Sequence, residues 1–182
     1  WWVWHDAYPF EHFEKHVPRF MSEFGFQSFP GQEVLDYIMQ GKKLDLSNGA
    51  IKSHQKHHRG FQLIDEYMAR DFPVPTKAEE YAYVSQLVQA KGMRMGIEAH
   101  RRAKPYNMGT LYWQLNDCWP AISWSSIDYF GRWKALHHAA KEAFENVLIS
   151  FEHADGMLQV YVVNDHLEAI NETLHLVIRD FK

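Results

Sequence analysis

Cysteine is almost missing from this chain. Cys118 is the single one in 182 residues, so no internal disulfide can form and the redox compartment cannot be read from it. Long apolar runs are missing too, and none approaches the roughly 20 residues that a membrane helix requires. There is no basic stripe with interleaved aromatics, and the formal net charge of −4 is spread along the chain rather than gathered in a block. Both observations argue against nucleic acid as a partner. Internal repeats, low-complexity tracts and a signal-peptide pattern are also lacking.

Apolar and aromatic residues are abundant, at 46% and 15%, which fits a globular protein with a large core. The length allows one sizeable domain or one and a fraction. Three of the seven tryptophans fall in Trp1-Trp2-Val3-Trp4, where a natural terminus would leave them in water. We therefore read the chain as a piece of a longer protein, and its localisation stays open.

Periodicity and punctuation give a coarse map. A short helix is expected between Pro9 and His16, then a strand over 17–26 ending at Gly25. Helices are expected over 32–39 and over 58–70, the latter with Phe61, Ile64, Tyr67 and Met68 on one face. Thr76-Lys77-Ala78-Glu79 has the form of a capping box. It should open a long helix that turns Val84, Leu87 and Val88 inward and stops before Pro105. A second strand is expected over 108–115 and a helix over 134–147. Beyond Leu148 the pattern alternates at period two over 147–151, 157–164 and 173–178, with Asp155-Gly156 and Asn164-Asp165 as turns. The fold class is therefore α/β, two βα units followed by the opening strands of an antiparallel sandwich.

Two stretches carry the chemistry. Arg19-Phe20-Met21-Ser22-Glu23-Phe24-Gly25-Phe26-Gln27 delivers one carboxylate to a strand end, and Leu111-Tyr112-Trp113-Gln114-Leu115-Asn116-Asp117-Cys118-Trp119-Pro120 ends in aromatic and amide side chains. A carboxylate stabilises a developing oxocarbenium ion, and indole faces cover the apolar side of a pyranose. Glu23 could equally cap a helix or pair with Arg19. However, Phe20, Phe24 and Phe26 suggest apolar surroundings, whose desolvation cost a purely structural carboxylate would avoid. Trp113 could be a core residue, and Asn116 and Asp117 could be turn formers. His54, His57 and His58 invite a metal reading, but no carboxylate or cysteine stands at matching spacing, so we expect a solvated helix start and no metal. Cys118 reads as a small buried hydrophobe. Asn171-Glu172-Thr173 is a formal glycosylation sequon.

At these residues the chain resembles glycoside hydrolase family 2, and within it the β-mannosidases. The stretch from Arg19 to Pro30 is similar to the family's nucleophile segment, Tyr112 to Pro120 to its eighth barrel strand, and Trp124 to Lys134 to the loop before its eighth helix. The resemblance implies the C-terminal part of a (β/α)8 TIM barrel over 1–147, then the start of an immunoglobulin-like β-sandwich over 148–182. It makes Glu23 the catalytic nucleophile and Trp113 the indole of the cleaved sugar's subsite, with Asn116, Asp117 and Trp119 shaping the pocket edge. It implies a retaining hydrolase acting on non-reducing terminal β-D-mannose in a carbohydrate substrate, without cofactor or membrane partner. The family's acid/base glutamate lies in an Asn-Glu pair on an earlier strand, and no such segment occurs here. The piece alone is thus expected to be inactive and to self-associate through open strand edges. The alternatives are another family 2 exo-glycosidase (β-galactosidase or β-glucuronidase) and a non-catalytic carbohydrate-binding module stacking sugars on Trp113, Trp119 and Trp124.

Overall fold

The computed structural model describes residues 1–180, and it divides into two compact units, Trp1–Phe144 and the chain from Glu145 onward. The first unit holds seven helices: α1 Trp2–Asp6, α2 His12–Lys15, α3 Gln32–Met39, α4 Gly49–Ser53, α5 Gly60–Asp71, α6 Ala78–Arg102 and α7 Ala135–Ala143. The second holds β1, Val147–Ala154, and β2, Met157–Asn164. No helix among the described residues is long and apolar enough to cross a membrane.

α6 organises the first unit. Its buried face runs through Tyr81, Ser85, Val88, Gln89, Gly92, Met93, Gly96 and Ile97, while Val84 and Leu87, expected inward, are only half-buried. The small and polar positions take the inward face because large rings press against it. A Cβ on Gly96 would lie 2.6 Å from the Phe24 ring, so the bulk comes from the neighbour rather than from the helix. The expected capping box is not formed. The helix begins at Ala78 with Lys77 as N-cap and no side-chain cap bond, which leaves Thr76 one residue too early to reach the free amides. Glu79 and Glu80 in the first turn and Arg101 and Arg102 in the last complement the helix dipole instead.

α5 buries Leu63, Ile64, Tyr67 and Met68, with Phe61 only partly covered. Tyr67 and Phe26 stand 4.6 Å apart between ring centroids, and Trp4 meets Phe26 edge-on at 5.0 Å. These aromatic pairs join the N-terminal segment to the core. The strands expected over 17–26 and 108–115 appear as extended neighbours rather than as a full ladder, with one parallel bridge, Met21 to Thr110. Their backbone bonds are Met108 N–H to Arg19 O, Met21 N–H to Gly109 O, Leu111 N–H to Met21 O and Trp113 N–H to Phe24 O, at 2.8–3.0 Å. A parallel pair with so few rungs is too short to count as regular strand.

In the second unit β1 and β2 form an antiparallel hairpin whose register runs from Val147 opposite Asn164 to Ala154 opposite Met157. Asp155 and Gly156 both have positive φ, 53° and 74°, as a two-residue loop matched to strand twist requires. The strand expected over 173–178 does not form. Leu174, Leu176, Val177 and Ile178 are exposed and outside regular structure. An alternating pattern specifies a face to bury but not the strand that pairs with it.

His100, at the end of α6, stands against the Phe24 ring at 5.0 Å and has Nδ1 2.8 Å from Thr110 Oγ1. Burial pushes its pKa down to about 4, whereas in the unfolded chain it titrates near 6.5. The unfolded state therefore binds more protons between these values, and stability is lost as pH falls through the window. The loss should total about 3 kcal/mol. His100→Gln should flatten this part of a stability–pH curve measured by denaturant unfolding, and an unchanged slope would contradict it.

Candidate active site

The two segments named above meet at a backbone contact. Trp113 N–H donates to Phe24 O at 2.8 Å, and a Cβ on Gly25 would lie 2.3 Å from Trp113 O. Only a residue without a side chain allows this approach. Gly25, expected as a strand end, is thus a point of close approach between the Glu23 segment and the tryptophan segment. The contact puts Trp113 beside the strand position next to Glu23.

Glu23 is exposed, contrary to the apolar surroundings expected for it. Phe24 and Phe26 are turned into the core, while Phe20 is itself half in solvent. The side chain that binds Glu23 is an indole: Trp1 Nε1 donates to Glu23 Oε1 at 2.6 Å. Arg19, the alternative ion-pair partner, lies over the Tyr106 ring instead, 5.5 Å from its centroid. Trp1 also meets Trp124 edge-on at 6.2 Å, and Trp124 meets Trp4 at 5.7 Å. A Cβ on Gly25 would lie 3.1 Å from both Trp1 and Trp124, so the aromatic cluster stands over the close approach.

The N-terminal segment that presents Trp1 is tied down from α5. Tyr67 Oη lies against the carbonyls of Val3 and Tyr8. Arg70 donates to Ala7 O at 3.1 Å while its guanidinium covers the Tyr67 ring at 4.0 Å.

The other expected pocket residues divide. Trp113 is 44% exposed and Trp119 36%, and Asn116 is exposed as well, so all three can meet a solute. Asp117 cannot, because it is buried and both its oxygens are occupied. Oδ1 takes Lys56 Nζ at 2.8 Å and Gln114 Nε2 at 3.2 Å, and Oδ2 takes Ser123 Oγ at 2.7 Å and Ser125 Oγ at 2.5 Å. It holds the loop after Trp113 in place. Cys118, expected buried, is exposed, because the chain turns outward once Asp117 is anchored.

The histidines are placed by aromatic packing. His54 packs on Trp119 at 5.2 Å with the rings tilted by 32°, and its Nδ1 lies 2.6 Å from Pro120 O. His57 packs between Trp4, His58, His5 and Trp124 at 4.6–6.2 Å. Burial, then the charges of His58, His5 and Arg59, lower its pKa. Among the described residues no group of three or more His, Cys, Asp or Glu is placed to hold a metal ion. Segment 54–59 is zipped to the loop carrying Trp119 by Ile122 N–H to His54 O at 2.9 Å and Lys56 N–H to Ile122 O at 3.2 Å. Sequence reasoning missed Trp1 as the partner of Glu23 and Lys56 as the partner of Asp117, because each lies far along the chain and no local spacing signals the pairing.

Glu23 is an exposed carboxylate held by an indole whose neighbours are Trp124 and His5, and these are residue types that carbohydrate-processing sites use. Comparison with known proteins agrees with that class. No protein-family model matches the chain, but individual relatives do, and they are glycoside hydrolases of family 2. More particularly, they are β-mannosidases. The chain is 30% identical to β-mannosidase A of Aspergillus clavatus and 33% identical to β-mannosidase B of Aspergillus niger. These matches cover 88% and 85% of this chain but only 20% and 19% of those proteins. The crystal structure of a β-D-mannosidase from Dictyoglomus thermophilum superposes with a TM-score of 0.86 at 36% identity, over 92% of this chain and 21% of that one. An exo-chitosanase of Amycolatopsis orientalis, at 18% identity and a TM-score of 0.68 over 86% of this chain and 20% of that one, shares the fold alone. The chain thus spans about a fifth of the length of the relatives it matches.

The close approach at Gly25 can be tested directly. Gly25→Ala forces a methyl into a backbone carbonyl, and overpacking of this kind costs roughly 1–3 kcal/mol. The thermal midpoint should fall by several degrees, and an unchanged midpoint would show that the two segments can part without cost.

Proposed function

We propose that this chain is the C-terminal part of the catalytic barrel of a retaining β-mannosidase, carrying the nucleophile and one aromatic wall of the sugar site. The observation that carries the reading is Glu23 itself, exposed, bonded by Trp1 and one residue from the backbone contact of Phe24 with Trp113. The β-mannosidase relatives supply the substrate class. Residues 1–147 correspond in this reading to the last barrel strands and helices, and residues from 148 onward open a β-sandwich.

Glu23 attacks the anomeric carbon as the leaving oxygen departs, forming a glycosyl-enzyme, and water then releases mannose with net retention. The Trp1 indole can fix only one carboxylate oxygen, since an indole has one N–H. Trp113 covers the apolar face of the sugar ring, and Asn116 and Trp119 border the pocket. Asp117 acts from beneath, through the loop it anchors. Retention needs a second carboxyl group about 5–5.5 Å from the nucleophile, which we assign to a segment outside these residues.

The test uses the longer chain into which this segment fits. Glu23→Gln should lower turnover of a nitrophenyl β-mannoside by at least about a thousandfold. A fluoro-mannoside that traps the glycosyl-enzyme should label Glu23 in the native protein. Near-normal activity of the variant, or a label elsewhere, would remove Glu23 from the mechanism. A carbohydrate-binding module would take no label. A panel of nitrophenyl glycosides separates β-mannosidase from β-galactosidase and β-glucuronidase.

The same reading makes a prediction for the isolated 182-residue piece. Phe20, Met108, Leu111 and Leu115 flank the two extended segments and are each more than half exposed. Such surface beside short ladders favours association. Light scattering should show oligomers and a mannosidase assay should show no turnover. A monomer that hydrolyses a β-mannoside would show that the second carboxyl group lies within the piece.

A further inference from the structure

Lys134 is fully buried, and nothing in the proposed chemistry uses it. It is the N-cap residue of α7, where lysine has no capping role, and its side chain runs inward. Nζ stands 3.3 Å from Ser28 O and 3.4 Å from Ser123 O. Those carbonyls belong to a single backbone pair, since Ser28 N–H donates to Ser123 O at 3.0 Å and Ser123 N–H donates to Ser28 O at 3.3 Å. Ser28 lies five residues beyond Glu23. Ser123 lies in the loop between Trp119 and Trp124.

We propose that Lys134 is a positioning residue for the glycosidase site, its amine bridging Ser28 O and Ser123 O so that the Glu23 segment and the tryptophan loop stay in register. The inference rests on the reading of Glu23 and Trp113 given above. Three features support it. First, burying a lysine nitrogen is costly unless it is hydrogen-bonded, and these two carbonyls are acceptors at hand. Second, burial lowers the pKa of the amine to about 7, against the pull of Asp117 and Asp128 and with the push of Lys56. A neutral amine still has two N–H donors, one for each carbonyl. Third, the same pair is gripped from α6. Ser28 Oγ donates to Gln89 Oε1 at 2.6 Å, Gln89 Nε2 donates to Phe26 O at 2.7 Å, and Phe29 N–H donates to Ser85 Oγ at 3.0 Å. Asp117 holds the Ser123 hydroxyl from the other side. Gln89 reaches the tryptophan loop as well, with Nε2 3.2 Å from Trp124 O and 3.4 Å from Ser125 O, and Lys134 is the member whose one nitrogen stands against both carbonyls of the Ser28–Ser123 pair.

Amide hydrogen exchange tests the bridge. In Lys134→Met, which keeps the stem and removes the donors, Ser28 and Ser123 amides should exchange at least about tenfold faster, while Val88 and Ile97 in α6 keep their protection. Lys134→Gln keeps two N–H donors and should restore most of the protection. Unchanged exchange at Ser28 and Ser123, or an equal loss throughout α6, would overturn the proposal. Should the methionine variant not fold, the native protein decides. A bridging amine should give a slowly exchanging ¹⁵Nζ resonance for Lys134, and one that exchanges like a free ammonium would overturn it. In the longer chain, Lys134→Met should lower kcat on a nitrophenyl β-mannoside by about tenfold or more, with Lys134→Gln recovering most of it. Loss of the bridge without any change in kcat or KM would reduce Lys134 to a structural residue. If the native long chain hydrolyses no β-mannoside, the reading of the site fails while the exchange result still stands.

Discussion

The contact between Gly25 and the carbonyl of Trp113 sets the geometry of the first unit. It is backbone against side-chain-free backbone, so neither partner can yield by rotating a side chain. Two segments about 90 residues apart, already bonded through Arg19, Met21 and Phe24, are thereby held at one separation. Phe24 and Phe26, on either side of the glycine, both turn into the core. With them committed inward, the neighbouring carboxylate of Glu23 faces outward. The exposure of the proposed nucleophile thus follows from the burial of its neighbours.

Beneath this contact the interior is more polar than the composition suggests. Ser28, Ser85, Gln89, Ser123, Ser125, Asp117 and Lys134 are all buried and form a hydrogen-bonded seam between α6 and the two strand ends. A seam of this kind stabilises little over an apolar core of the same volume, and its value lies in specificity. Apolar side chains would pack in several registers, whereas Asp117 with four donors accepts one arrangement of its loop. Such a constraint suits a site whose tryptophans must be placed to within a fraction of an ångström.

The features legible from sequence were those with a local cause. The helix over 32–39 is found at its expected bounds, the long helix stops before Pro105 because proline cannot continue it, and the hairpin turns at Asp155-Gly156. Where a second segment decides, local pattern fails. On α6 the expected Val88 is buried while Val84 and Leu87 are only half-buried, because the rest of the inward face is glycine, serine and glutamine packed on Phe10, Phe24, Ser28 and Phe29, which lie 56–82 positions away. The alternation over 173–178 predicts a strand that does not form, since periodicity cannot say whether a neighbour is within reach. At the site, the residue types and the resemblance singled out Glu23 and Trp113, but not the indole of Trp1 or the ammonium of Lys56 that hold their surroundings.

Asp117 shows how function and support divide within one short motif. In Asn116-Asp117-Cys118-Trp119 three side chains are exposed and only the aspartate is buried. Its burial drags the loop down, and the same turn lifts Trp119 out to pack on His54. A carboxylate in this position would be a poor substrate ligand, because its lone pairs already serve four protein donors. It is a good anchor for the same reason, since removing it would leave Lys56 as a partly buried cation without its partner. In the proposed site the aromatic edge therefore depends on a carboxylate that does not itself face solvent.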